Sequence, residues 1–162
     1  MQGPGGNTGF RAALSWLDMP PLWLLLFIAL ARVQAVRFPE LAWKHPASDL
    51  AGGLLVGAGL LLFALAVMEF SRARTTIVPH REARSLITTG IYTRSRNPIY
   101  LGDLLILAGL CAFWGVWLAL AVLVPLFAWL VTDRFIRPEE ARLAARFGPE
   151  WEAWAARVRR WV

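Results

Sequence analysis

Four long, mainly apolar stretches constrain this chain more than any other feature. Residues 21–38, 50–70, 98–114 and 116–131 run for eighteen, twenty-one, seventeen and sixteen residues, and a chain this short has no interior large enough to hide helices that are apolar on every face. At helical rise the first two are about 27 and 32 Å long and the last two about 24–26 Å, against a hydrocarbon core of about 30 Å. In lipid the backbone must satisfy its own polar groups, which makes each stretch a helix. With 57% apolar residues and a mean hydropathy of +0.50, the composition agrees. The chain reads as an all-α membrane protein with four transmembrane helices, the last two a short hairpin with only Gly115 between them.

The remaining segments follow from this. Residues 1–9 have the Gly and Pro content of a flexible leader and lack the basic start of a secretory signal; residues 10–162 form one integral membrane domain. Phe10 to Leu17 suits a short interfacial turn, and Arg32 is placed to snorkel from the first span. The loop from Phe38 to Ser48 is a turn with a solvated His45. In the second span Gly53 and Gly57 make a GxxxG pair, suited either to packing within the chain or to a homo-oligomer. Glu69 pairs with Arg72 where that span ends, and Pro125 is placed to kink the last one. Trp151, Trp154, Ala155 and Val158 fall at i, i+3, i+4 and i+7, so Pro149 to Trp161 reads as an amphipathic helix on the membrane surface.

Charge sets the orientation. Six Arg lie between Arg72 and Arg96 and seven between Arg134 and Arg160, whereas Arg37 to Asp49 holds only Arg37 and Lys44 as bases. By the positive-inside rule the loop 71–97, the tail 133–162 and both termini are cytoplasmic, the expected setting being a bacterial inner membrane. This topology explains the net charge of +6, and a nucleic-acid partner is not expected. The single Cys111 excludes an internal disulfide, and His45 and His80 are too far apart in sequence to suggest a metal site.

Two polar clusters then share the cytoplasmic face, Gly90 to Gly102 before and into the third span and Arg134 to Glu140 after the fourth, and a hairpin makes them neighbours. In the first, Asn97 is a natural N-cap ahead of Pro98. A capped helix start leaves Tyr92, Arg94, Arg96, Tyr100 and Asp103 unexplained at one depth. In the second, Pro138 followed by Glu139 and Glu140 is again a favourable helix start.

The order of these features is more specific than either cluster. A basic loop, Gly-Ile-Tyr, Arg-Asn-Pro-Ile-Tyr-Leu-Gly, a short hairpin, Arg-Pro-Glu-Glu, Phe-Gly-Pro-Glu-Trp and a closing Val-Arg-Arg-Trp resemble the isoprenylcysteine carboxyl methyltransferase and phospholipid methyltransferase superfamily over roughly residues 47–162. The resemblance implies S-adenosylmethionine as methyl donor and a lipophilic or membrane-associated acceptor: a thiol, a carboxylate or a phospholipid amine. The cofactor contacts it implies fall on Arg84, Ser85, Leu86 and Ile87, on Tyr92, on Arg96, Asn97, Pro98, Ile99 and Tyr100, and on Glu139 with its neighbour Glu140; Arg134 and Arg137 are its candidates for acceptor contacts. Asn97 stands where relatives carry histidine, which exchanges a titratable group for an amide.

The chemistry of these side chains suits that donor. Aromatic rings suit adenine and a sulfonium cation, a glutamate suits ribose hydroxyls or an ammonium, and arginine with main-chain amides suits a carboxylate. Two other readings compete: a membrane reductase of the sterol type using a nicotinamide cofactor, and a non-enzymatic scaffold.

Overall fold

The computed structural model describes residues 19–73 and 85–162; the leader, the interfacial turn at 10–17 and Arg84 lie outside them. The described chain is all-helical. Helix α1 (Pro20–Arg37) starts on two prolines, which need no N–H partners in a first turn. Helix α2 (Pro46–Arg72) begins four residues before its apolar run, because His45 is a cap and not merely a solvated loop residue. Its Nδ1 accepts the Ala47 N–H at 3.1 Å, while its own N–H donates to Ser48 Oγ at 3.1 Å.

Helix α3 (Pro98–Trp114) ends at Gly115, whose φ of 69° closes the helix in the left-handed region. Gly115 accepts the Trp43 N–H at 2.9 Å, and Trp117 Nε1 donates to Trp43 O at 2.9 Å, tying the 38–45 loop to the hairpin turn. Helix α4 (Trp117–Val131) does not stop where its apolar run does. It passes through a π-helical turn at Thr132–Ile136 into α5 (Arg137–Phe147), giving one continuous helical run from Trp117 to Phe147. Gly148, with φ 49°, turns the chain into α6 (Pro149–Ala155).

Three helical runs are long and apolar enough to cross a membrane, Pro20–Arg37, Pro46–Arg72 and Trp117–Phe147; α3 is a shorter apolar helix. Their outer faces carry large exposed apolar side chains such as Leu25, Leu54 and Trp129, as lipid contact requires. The amphipathic helix expected over 149–161 ends at Ala155. Beyond it the carbonyls of Arg159 and Arg160 bond to Arg96 and Asn97 instead of continuing a ladder.

The helices α2 and α3 meet through glycines. A Cβ on Gly52 would lie 2.6 Å from the Gly109 carbonyl, and one on Gly59 would lie 2.6 Å from the Gly102 carbonyl. The pairs are seven residues apart on both helices and run in opposite order, as two turns of an antiparallel contact should. The GxxxG pair Gly53 and Gly57 faces the other way, with nothing within 4 Å. The packing inside the chain therefore uses the neighbouring glycines.

Candidate active site

One end of the bundle collects the polar clusters. Helix α2 supplies Glu69, Phe70 and Arg72 from its last turn. The segment 85–97 crosses this end with a 3-10 turn, Gly90–Thr93, and leads into α3 with Tyr100 and Asp103. The π-turn and α5 bring Phe135, Glu139 and Glu140, and the tail lies across them through Trp151, Trp154 and Val158, which share a core cluster with Ile87 and Tyr92.

Tyr92 and Tyr100 are both buried. The Tyr92 ring meets Phe70 edge-on at 6.0 Å, and its carbonyl accepts the Trp154 Nε1 proton at 3.2 Å. The Tyr100 ring stacks on Phe135 at 6.5 Å and 20°. Burial, reinforced by the charges of Glu139 and then Glu69, pushes the Tyr92 phenol well above its ordinary range. It stays protonated and remains a hydrogen-bond donor.

Glu139 and Glu140 are adjacent in sequence and differ completely in surroundings. Glu140 accepts Arg160 at both oxygens, Nε at 3.2 Å and Nη2 at 2.6 Å, and its Oε1 also faces Arg96 Nη2 at 3.4 Å. The Arg160 carbonyl accepts Asn97 Nδ2 at 3.1 Å, and Arg96 N–H donates to Arg159 O at 3.0 Å. A closed polar ring thus straps the tail across the start of α3. Asn97 occupies the N-cap position as expected, but its side chain reaches the tail and caps nothing; Ser95 Oγ takes the Asn97 N–H instead. Glu139 accepts no hydrogen bond and makes no ion pair among the described residues. It is half-buried, within electrostatic reach of Tyr92 and of Arg142 one turn on.

Removing one member of the ring tests its strength. Arg160→Ala leaves the mostly buried Glu140 carboxylate with Arg96 alone and is expected to lower the unfolding free energy by about 1–3 kcal/mol, the cost of a lost hydrogen bond to a charged group. A lower thermal midpoint in detergent and faster proteolysis after Phe147 would record it.

The other candidates separate by surroundings. Pro98 is fully buried at the first helical position, and Leu86 and Ile99 pack on the tail cluster. Ser85 Oγ and Arg96 Nε are buried with no hydrogen-bond partner among the described residues, and the Arg96 guanidinium lies 5.8 Å from the Trp151 ring. Arg137 pairs with Asp133 at 2.8 Å on an exposed face, and Arg134 is exposed on the π-turn. Neither is drawn into the buried part of the cluster.

Sequence reasoning gave no site role to three residues that the fold brings here. Glu69 is buried and accepts Thr89 Oγ1 at 2.6 Å as well as the expected Arg72 Nη1 at 2.7 Å. Asp103 is buried in α3 on the side of Tyr100, with no hydrogen-bond or ion-pair partner among the described residues. Arg160 closes the ring. The readable signal for Glu69 was its position, since an acid in a last helical turn opposes the helix dipole.

A family model described as phospholipid methyltransferase matches residues 48–150. No curated protein and no solved structure matches the chain.

Proposed function

The chain belongs to the phospholipid methyltransferase family, and from that premise we propose that it methylates the amine of a phospholipid headgroup at the cytoplasmic end of its helices. Membership makes it an S-adenosylmethionine-dependent methyltransferase and decides against the nicotinamide reductase and the scaffold. When bound, that donor supplies an electrophilic methyl group on a sulfonium.

The residues at this end fit such a donor. Ser85 Oγ and Arg96 Nε are buried without partners among the described residues, as groups reserved for a ligand's acceptors would be. The Glu139 carboxylate suits ribose hydroxyls or an ammonium, and the protonated Tyr92 phenol offers a donor beside it. Ile99 and Leu86 pack on the buried tail cluster beside Tyr92, an apolar setting that suits in-line displacement by positioning.

The observation that carries the acceptor assignment is the sign of the unpartnered charge. Asp103 and Glu139 are carboxylates that both act electrostatically on Tyr100, and neither has an ion-pair partner among the described residues. A thiolate or carboxylate acceptor would meet repulsion there, whereas an ammonium headgroup is attracted. An amine must also shed a proton before its lone pair can attack, and in this reading the buried Asp103 carboxylate accepts it. Among the described arginines, Arg72, Arg96, Arg137 and Arg160 already face carboxylates, so they do not form an anion-binding cluster.

The test uses the whole protein in vesicles with methyl-labelled S-adenosylmethionine. Label is expected in phosphatidylethanolamine vesicles and not in phosphatidylglycerol vesicles supplied with a prenylated thiol or carboxylate. Label confined to the thiol or carboxylate would overturn the assignment.

A further inference from the structure

We propose that Glu69 is a positioning residue of the methyl-donor site, acting through Thr89 and Gly90 to hold the turn that carries Tyr92. The proposal rests on Tyr92 lining that site and is independent of the acceptor.

Glu69 is an unexpected residue where it stands. It is 5% exposed, one turn from the end of α2, and a carboxylate there faces the negative end of the helix dipole. A carboxylate held there is costly unless its oxygens are matched. The helix does not need it for capping, because the Ala73 N–H bonds to backbone carbonyls. What Glu69 does provide is a fixed acceptor for a segment twenty residues later in sequence. Arg72 takes one oxygen at 2.7 Å and Thr89 takes the other at 2.6 Å.

The contact continues into the backbone. Thr89 is the N-cap residue of the turn Gly90–Thr93, and Gly90, at φ 57°, lies so close to the carboxyl group that an added Cβ would fall 2.5 Å from Glu69 Cδ. A side chain at residue 90 would be strained by its dihedral and would displace the acid. Two positions after Gly90 stands Tyr92, held edge-on by Phe70, the residue next to Glu69. The last turn of α2 therefore sets both the height of the turn and the rotation of its tyrosine. Each Glu69 oxygen already accepts a hydrogen bond from the protein, and in this proposal it acts through Tyr92 and not by touching ligand.

Variants in Thr89 test this without emptying the core, because Thr89 is exposed. Thr89→Val removes the donor at nearly constant shape and is expected to raise both Kd and KM for S-adenosylmethionine by about tenfold, equivalent to ~1.4 kcal/mol, with kcat changed much less. Thr89→Ser keeps the hydroxyl and should return to the parental values. Glu69→Gln keeps an acceptor for Thr89 and should fall between parent and Glu69→Ala. A merely structural role would lower the folded fraction and kcat while leaving Kd unchanged, and a parental Kd in Thr89→Val overturns the proposal. Tyr92→Ala is measured alongside by calorimetry. A parental Kd there removes the site reading and the proposal together, while weakened binding there with a parental Thr89→Val removes the proposal alone.

Discussion

Glu139→Gln is expected to lower kcat/KM for methyl transfer by about 10- to 100-fold, the loss of one hydrogen bond to a charged group worth ~1.5–3 kcal/mol, with an unchanged or higher thermal midpoint. The two effects have opposite signs for one physical reason. The half-buried carboxylate has no hydrogen-bond or ion-pair partner among the described residues, so the folded protein already carries its desolvation cost. An amide of the same shape removes that cost and removes the charge a ligand would use. Glu140→Gln is expected to behave the other way, losing stability first, because its carboxylate holds Arg160 through two hydrogen bonds. Thermal melts and initial rates on both variants separate the two acids; a lower midpoint with parental kcat/KM for Glu139→Gln would return it to the structural side.

The second large effect is expected in the packing of α2 against α3. Gly59→Val or Gly102→Val should destabilise the bundle by about 3 kcal/mol, the upper range for overpacking, because the new side chain meets a backbone carbonyl, which cannot swing aside as a side chain can. A Cβ at Gly59 lies 2.6 Å from the Gly102 carbonyl, and one at Gly102 lies 2.8 Å from the Gly59 carbonyl. The helices must separate, which also moves Glu69 relative to Thr89 and should weaken donor binding. Gly53→Ala and Gly57→Ala are the controls on the same helix. With nothing within 4 Å of either, they should not lower the midpoint, since Ala is favoured over Gly in a helix by up to about 1 kcal/mol. Unfolding of all four variants in one detergent compares them directly.

The helices were legible because the backbone's need for internal hydrogen bonds in lipid acts on any long apolar run, whatever its neighbours do. Pro98, Gly115 and the 98–114 stretch needed no tertiary information. Boundaries set by partners were less visible. His45 lengthened α2 through a bond to its own first turn, and the π-turn at Thr132–Ile136 carried α4 past its apolar run. Gly53 and Gly57 left packing within the chain and oligomerisation open, and the contact with α3 falls on Gly52 and Gly59 because theirs is the side of the helix that meets α3.

In the candidate site, Tyr92, Asn97 and Glu139 were visible through their order along the chain and the hairpin that folds it back. Their individual roles were not. Glu139 and Glu140 are the same residue type one position apart, about 100° around a helix, and that rotation decides which of them meets Arg160. Glu69 and Thr89 are twenty residues apart in sequence, and no local pattern announces their bond.

The sequence by itself determined that this chain is a set of helices in a membrane with its polar clusters gathered at one end, because hydropathy and charge act residue by residue against lipid and water. Only the tertiary structure decided which carboxylates are matched and which have no partner among the described residues. Matching depends on the direction and distance of side chains brought together from distant segments, and a difference of one helical position reverses it.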